Sequence, residues 1–147
     1  MRIDVDTTVT VLDLPEDASE VQAAIRGTVG DAVNTAVYHR RALLHIHDSA
    51  NRESPLNLAA WTLASAWRGM SLYPLHGTIV VTGCLNEEGD VTGLDEDLVH
   101  QAEAVAVTVR ETVQRCRERP PMSDEAAAQE LLAYAARDLA AHAVGQR

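Results

Sequence analysis

The sequence predicts a single α/β (α+β) domain, in which a small mixed sheet packs against helices and one further helix follows at the C-terminal end. Its 147 residues suffice for one hydrophobic core and fall short of two ordinary ones. Apolar residues recur at period two near the start and at helical spacing later, so strands and helices share one chain. The composition is 46% hydrophobic yet only 3% aromatic with no phenylalanine, which calls for a core of Val, Leu, Ile and Ala.

The opening RIDVDTTVTVL sets Ile3, Val5, Val9 and Val11 against Asp4, Asp6, Thr8 and Thr10, the pattern of a half-buried strand or of two strands in line. After Leu14-Pro15, the acids Glu16, Asp17 and Glu20 suit a helix N-terminus, and Val21, Ile25 and Val29 continue at helical spacing, with Gly27 and Gly30 as interruptions. A second helical piece through Ala32, Val33, Ala36 and Val37 leads into ALLHIH, a strand ending near Asp48, and residues 49–53 read as a polar loop. Ser54-Pro55 has the form of a helix start, serine as N-cap and proline in the first turn. Leu56, Ala60, Leu63 and Trp67 then make one buried stripe, closed by Gly69. Residues 77–85 read as an inner strand, with 90–92 as its hairpin return across Gly89. Leu98, Ala102, Val105, Val109 and Val113 give a helix over 95–118, although AVAVTV at 104–109 fits a short strand equally well. Pro120 and Pro121 close that segment, and Ser123 caps a last helix with Leu131, Leu132, Ala135 and Leu139 inward. The main body is thus 1–119, and 120–147 is a helical extension packed on the same domain.

All 12 basic residues are arginine. Without a lysine there is no Ser-Lys dyad, Schiff base, pyridoxal-phosphate anchor or P-loop, because a guanidinium stays protonated and cannot serve as a general base. The formal net charge of −10 opposes nucleic-acid binding, and Arg110, Arg115, Arg117 and Arg119 are interleaved with Glu111 and Glu118 as on a solvated helix face. Cys84 and Cys116 are too few and too far apart for a zinc knuckle or a redox pair. With no signal peptide and no apolar run near the roughly 20 residues of a membrane span, the expected setting is cytoplasmic, without membrane contact and without a cofactor.

From residue 42 onward the landmarks fall in a familiar order: the strand with His45-Ile46-His47, Ser54 opening a helix, Gly69 ending it, Val81-Thr82-Gly83, Gly89 in a hairpin, and Gly93-Leu94 before another helix. In this order and spacing the chain resembles the proteolytic domain of Lon-type ATP-dependent proteases. SPLNLAAWTLASA and VLDLPEDA, at 54–66 and 11–18, are also similar to the N-terminal domain of magnesium-chelatase-like and competence-associated ATPases. The resemblance covers about 1–118 and implies a Lon-like fold whose catalytic dyad falls at Ser54 and Asp95. The departures decide its meaning. The family's Gly-Pro-Ser-Ala-Gly is replaced by Arg52-Glu53-Ser54-Pro55-Leu56, and the lysine that follows Gly-Gly-Leu is Asp95 after Gly93-Leu94. A carboxylate with an ordinary pKa of about 3.9 is a poor substitute for a desolvated amine.

Each remaining candidate has a bland and a sharp reading. Ser54 is a helix cap or a residual nucleophile. His45 and His47 share one face of a strand, as core histidines or as the start of a metal site with Asp48, although no third ligand has diagnostic spacing. His100 and Asp97 complete a hydrolytic triad with Ser54 only by tertiary accident. Glu87, Glu88 and Asp90 form a solvated acidic turn without the pattern of a calcium loop. Trp61 lies off the Leu56–Trp67 stripe and so fits an interface anchor, or the cover of a sheet edge. The expected function is that of a catalytically inactive Lon-like module working by protein–protein interaction, through self-association or docking on a ring ATPase. The alternative is a serine-type peptidase or hydrolase using Ser54 without a lysine, and a weaker third reading is a ligand- or metal-binding protein built on His45 and His47.

Overall fold

A computed structural model describes residues 1–30, 32–47 and 54–143. The chain is an α/β domain with a five-stranded sheet between one helix and a layer of three. The expectations for Asp48 and for the loop at 49–53 lie outside the described residues.

The first eleven residues make two strands, β1 (Arg2–Ile3) and β2 (Val9–Thr10), but these fold back on each other as an antiparallel pair rather than running in line. The turn explains it. Asp4 accepts from Thr7 N and donates its own N–H to Thr8 O, with Thr7 in the left-handed region at φ 73°. Helix α1 (Ala18–Val29) is capped by Asp17, whose side chain accepts from the N–H groups of Ser19 and Glu20. Gly27 lies inside this helix without breaking it, while Gly30 ends it at φ 127°.

Residues 33–39 differ from expectation. They form strand β3 (Val33–His39), not a helix, hairpinned to β4 (Ala42–His47). Ala32, Val33, Ala36 and Val37 satisfy a helical spacing, but Val33, Thr35, Val37 and Tyr38 are β-branched or aromatic residues that suit a pleated surface, and pairing to β4 decides between the two. Helix α2 (Leu58–Arg68) leads through residues 69–78 to β5 (Ile79–Thr82), and a hairpin bridged by Leu85 and Val91 precedes α3 (Glu96–Glu118). The 104–109 segment is therefore helical. Helix α4 (Asp124–Ala141) begins at Ser123, whose hydroxyl accepts from Ala126 N at 3.0 Å, as expected.

The strand order is β2-β1-β5-β4-β3, and each of its four pairings is antiparallel, so the sheet is not mixed in direction. The reason lies in residues 69–78. They run back along α2, since Leu75 O accepts from Asn57 N, and return the chain to the end of the sheet from which β5 must run against β4. Alternate residues then feed two cores. Ile3, Ala42, Leu44, Ile79 and Val81 face α2, α3 and α4, whereas Val80 meets Val21 and Ile25 of α1 on the other side. Leu131 and Ala135 bring α4 into the larger core. No described helix is long and apolar enough to cross a membrane.

Candidate functional site

The N-terminal end of α2 is held by Asn57, not by Ser54. Asn57 is fully buried; its Oδ1 accepts from Ala60 N at 3.1 Å, and its Nδ2 donates to Ile3 O at 3.0 Å and Gly77 O at 2.8 Å. One amide thus caps a helix and ties β1 to the segment entering β5. Ser54 stands outside the helix, where its carbonyl accepts a hydrogen bond from His76 Nδ1 at 2.9 Å. The capping role expected of Ser54 belongs to Asn57, three residues on, because only the latter reaches both neighbouring backbones.

Asp95 is the N-cap residue of α3 by position but makes no side-chain cap bond. Its carboxylate instead accepts from Arg41 Nη1 at 2.6 Å, and Arg41 also grips Asp97 through Nη1 at 3.0 Å and Nη2 at 2.7 Å. Ser54 and Asp95 therefore lie at opposite ends of β5. Ser54 is tied to His76, just before the strand, while Asp95 is tied to Arg41 at the start of β4, where Leu43 pairs with Thr82 at the far end of β5. Four strand residues at about 3.3 Å each put the two positions on the order of 13 Å apart or more, so they do not form a dyad. Asp97, engaged by Arg41, does not serve Ser54 and His100 as the third member of a triad; His100 sits among Glu96 at 3.4 Å, Glu103 at 3.6 Å and the His142 ring.

The Arg41 guanidinium holds the Asp97 carboxyl below its usual range. A carboxyl whose folded-state pKa is depressed stabilises the fold above its unfolded value of about 3.9, and that contribution disappears as pH falls through the folded value. Replacing Arg41 with methionine should therefore move the acid-unfolding midpoint, followed by circular dichroism, to higher pH. An identical acid limb in the variant would show that the pair carries no pH-dependent stability.

His45 is buried with Nε2 2.9 Å from Thr82 Oγ1, and burial pushes its pKa down, toward a neutral core histidine. His47 packs its ring over Gly30, where an added Cβ would meet His47 Cδ2 at 2.2 Å. Among the described residues no group of three His, Cys, Asp or Glu side chains is placed to hold a metal.

Trp61 is largely buried rather than standing free on the surface. It is 8% exposed, and its Nε1 donates to Leu72 O at 2.9 Å. Trp67, expected inward, is only half-buried, with Nε1 donating to Gln101 Oε1 at 2.8 Å and its ring tilted against His39. The one-stripe rule fails because residues 59–65 are all buried, with the sheet on one side of α2 and α3 and α4 on the other.

What the sequence did not reveal is a concave apolar surface where the N-terminal end of α2, the C-terminal part of α3 and the start of α4 converge. This cleft encloses about 670 Å³ and is walled by Leu58, Trp61, Leu72, Pro74, Val113 and Leu131, with Arg117 and Asp124 among its polar members. Its residues come from four separate segments, so no spacing in the sequence marks it. Comparison of the chain with protein-family models, with curated proteins and with solved structures finds no match.

Proposed function

We propose that this chain is a catalytically silent module that binds a protein partner, and that the partner seats the apolar face of an amphipathic helix in the cleft between α2, α3 and α4. The observation that carries the reading is the cleft itself. A largely apolar concavity of this size with a few polar groups at its margin is the usual form of a binding site, and helix-in-groove docking uses apolar side chains at i, i+3, i+4 and i+7. Arg117 and Asp124 give the margin one charge of each sign, suited to the polar flanks of such a helix. The resemblance of residues 42–94 to Lon-type proteolytic domains supports a scaffold kept without its chemistry, since the chain has no lysine and Asp95 is engaged by Arg41.

Selection of phage-displayed twenty-residue peptides on the folded chain should enrich sequences with that apolar spacing. Binding of an enriched peptide, read by fluorescence anisotropy, should weaken at least tenfold in Ala127→Glu. This substitution places a carboxylate in the cleft while leaving a good helix former near the N-terminus of α4. Unchanged binding, or enrichment of no such pattern, would remove the cleft from the account. The hydrolase alternative has its own readout: a fluorophosphonate probe that labels the parent stoichiometrically and spares Ser54→Ala would establish an activated serine.

A further inference from the structure

A second concave surface lies at the C-terminal end of α2, beside the turn that joins β3 to β4. Val37, Trp67 and Met70 line an open groove of about 620 Å³, in which Val37 is 58% and Met70 59% exposed. Arg40 and Arg68 stand in the same groove, and no carboxylate lines it among the described residues. The neighbouring Arg41 is engaged by Asp95 and Asp97, whereas neither Arg40 nor Arg68 makes an ion pair with a described carboxylate. On a chain of net charge −10 this is a local cationic recess with an apolar floor.

The opposite character stands next to it. Leu43 of β4 pairs with Thr82 of β5, so the chain leaves β5 beside the β3–β4 turn, and there Cys84 Sγ donates to Arg40 O at 3.1 Å. The hairpin that follows is exposed over residues 85–90. Its turn is held by Gly89 N donating to Asn86 O at 3.0 Å, and by Asp90 N donating to Asn86 Oδ1 at 2.9 Å. Leu85 at its base is 55% exposed, and Glu87, Glu88 and Asp90 make no ion pair with a described cation. An exposed leucine beside carboxylates is the complement of an apolar recess beside arginines. The hairpin does not fill the groove of its own chain, since none of these residues lines it.

We propose that the groove receives the acidic hairpin of a second copy of this chain, and that the contact is reciprocal about a two-fold axis. Groove and hairpin are neighbours at one end of the molecule, so a half-turn sets each copy's hairpin on the other's groove, and the assembly closes as a dimer instead of continuing as a filament. Leu85 enters the recess at Val37, Trp67 and Met70, while Glu87 and Glu88 meet Arg40 and Arg68. Charge selects the occupant. A partner for this groove must bring carboxylates beside an apolar side chain, and the chain carries that combination itself. The net charge of −10 on each copy opposes association, but at 0.15 M salt that repulsion is screened beyond about 8 Å, while pairs in contact persist. The groove shares no lining residue with the cleft between α2, α3 and α4, so the two surfaces are independent.

The test exchanges charges between the two halves of the contact. Small interfaces are weak, so sedimentation equilibrium of the full chain, taken to about 300 µM at about 150 mM salt, should show a reversible dimer. Arg40→Glu/Arg68→Glu and, separately, Glu87→Arg/Glu88→Arg should each weaken it at least tenfold, because like charges then face each other at both contacts; all four sites are exposed. Mixing the two variants should restore a heterodimer of near-parental affinity. In a two-fold pair the acidic groove of one meets the basic hairpin of the other, and the second contact has its parental charges. A chain carrying all four substitutions should dimerise again by itself, and a misfolded variant would not be rescued in either way. Leu85→Thr, at an exposed position, should weaken the dimer without any change of charge. Ala127→Glu should leave it unchanged, so failure here and failure of the cleft reading are separable. A chain that stays monomeric throughout would overturn the proposal, and if such a monomer bound a Leu-Glu-Glu hairpin peptide through Arg40, the groove would belong to another protein. A dimer that tolerates Leu85→Thr or either charge reversal, the absence of rescue, or dissociation on Ala127→Glu would overturn it equally.

Discussion

Replacing Asn57 with alanine should lower the unfolding free energy by about 3 kcal/mol. Loss of an N-cap costs about 1 kcal/mol, and leaving buried polar groups without a partner costs about 1–3 kcal/mol more. Here the groups stranded are Ala60 N and the carbonyls of Ile3 and Gly77, all bonded to one fully buried amide. Aspartate in its place separates the two roles. It keeps the acceptor that Ala60 N needs, but it removes both donors and sets a buried carboxylate against two carbonyl oxygens, so Asn57→Asp should be at least as damaging even though aspartate is an excellent cap on an exposed helix. Ser54→Ala, by contrast, should change stability by less than about 0.5 kcal/mol, as expected of a position outside the helix. Urea unfolding of the three variants decides the matter. A costly Ser54→Ala with a mild Asn57→Ala would mean that the helix starts at the serine after all.

The start of α2 lies where the sequence stops being informative. Ser123 and Ser54 carry the same local signal, a hydroxyl residue before a helical pattern. Ser123 fulfils it because Asp124 and Glu125 enter the helix at once. After Ser54 the chain offers a second capping residue, Asn57, three positions on, and the choice rests on backbone groups that lie far away in the sequence: Ile3 and the neighbourhood of Gly77. Helices α3 and α4 were legible because each buries one stripe against the rest of the protein. Helix α2 was legible as a helix but not in its facing, since residues 59–65 are all buried and Trp61 needs no stripe to be buried. Residues 33–37 fit two periods, and only the hairpin with β4 chooses. Of the candidate site, the sequence exposed the absence of lysine. The Arg41 clamp and the apolar cleft are assemblies of distant segments with no linear signature.

Gly83→Ala should cost about 2–3 kcal/mol, in the range of substitutions that force atoms into a packed region. Gly83 lies where the chain leaves β5, and its N–H donates to Thr92 O at 2.9 Å across the hairpin. A Cβ there would fall 2.3 Å from Thr92 Oγ1 and 2.4 Å from the Gly93 carbonyl oxygen. A hydroxyl can rotate away, although this one gives up its 2.6 Å bond to Cys84 O in doing so. The carbonyl is backbone, so the two strands of the hairpin must part. Gly93 is also two residues from Asp95, and the strain should reach the point where Arg41 holds Asp95 and Asp97. Gly93→Ala is the internal control: nothing lies within 4 Å of its added Cβ, and its φ is not in the left-handed region. That variant should melt near the parent or slightly above it, because alanine restricts the unfolded chain. At about 2–4 °C per kcal/mol for a chain of this size, Gly83→Ala should melt roughly 5–10 °C below the parent. Equal melting of the two alanine variants would show that the close approach at Gly83 does not constrain the hairpin, and that the start of α3 is positioned by the Arg41 clamp alone.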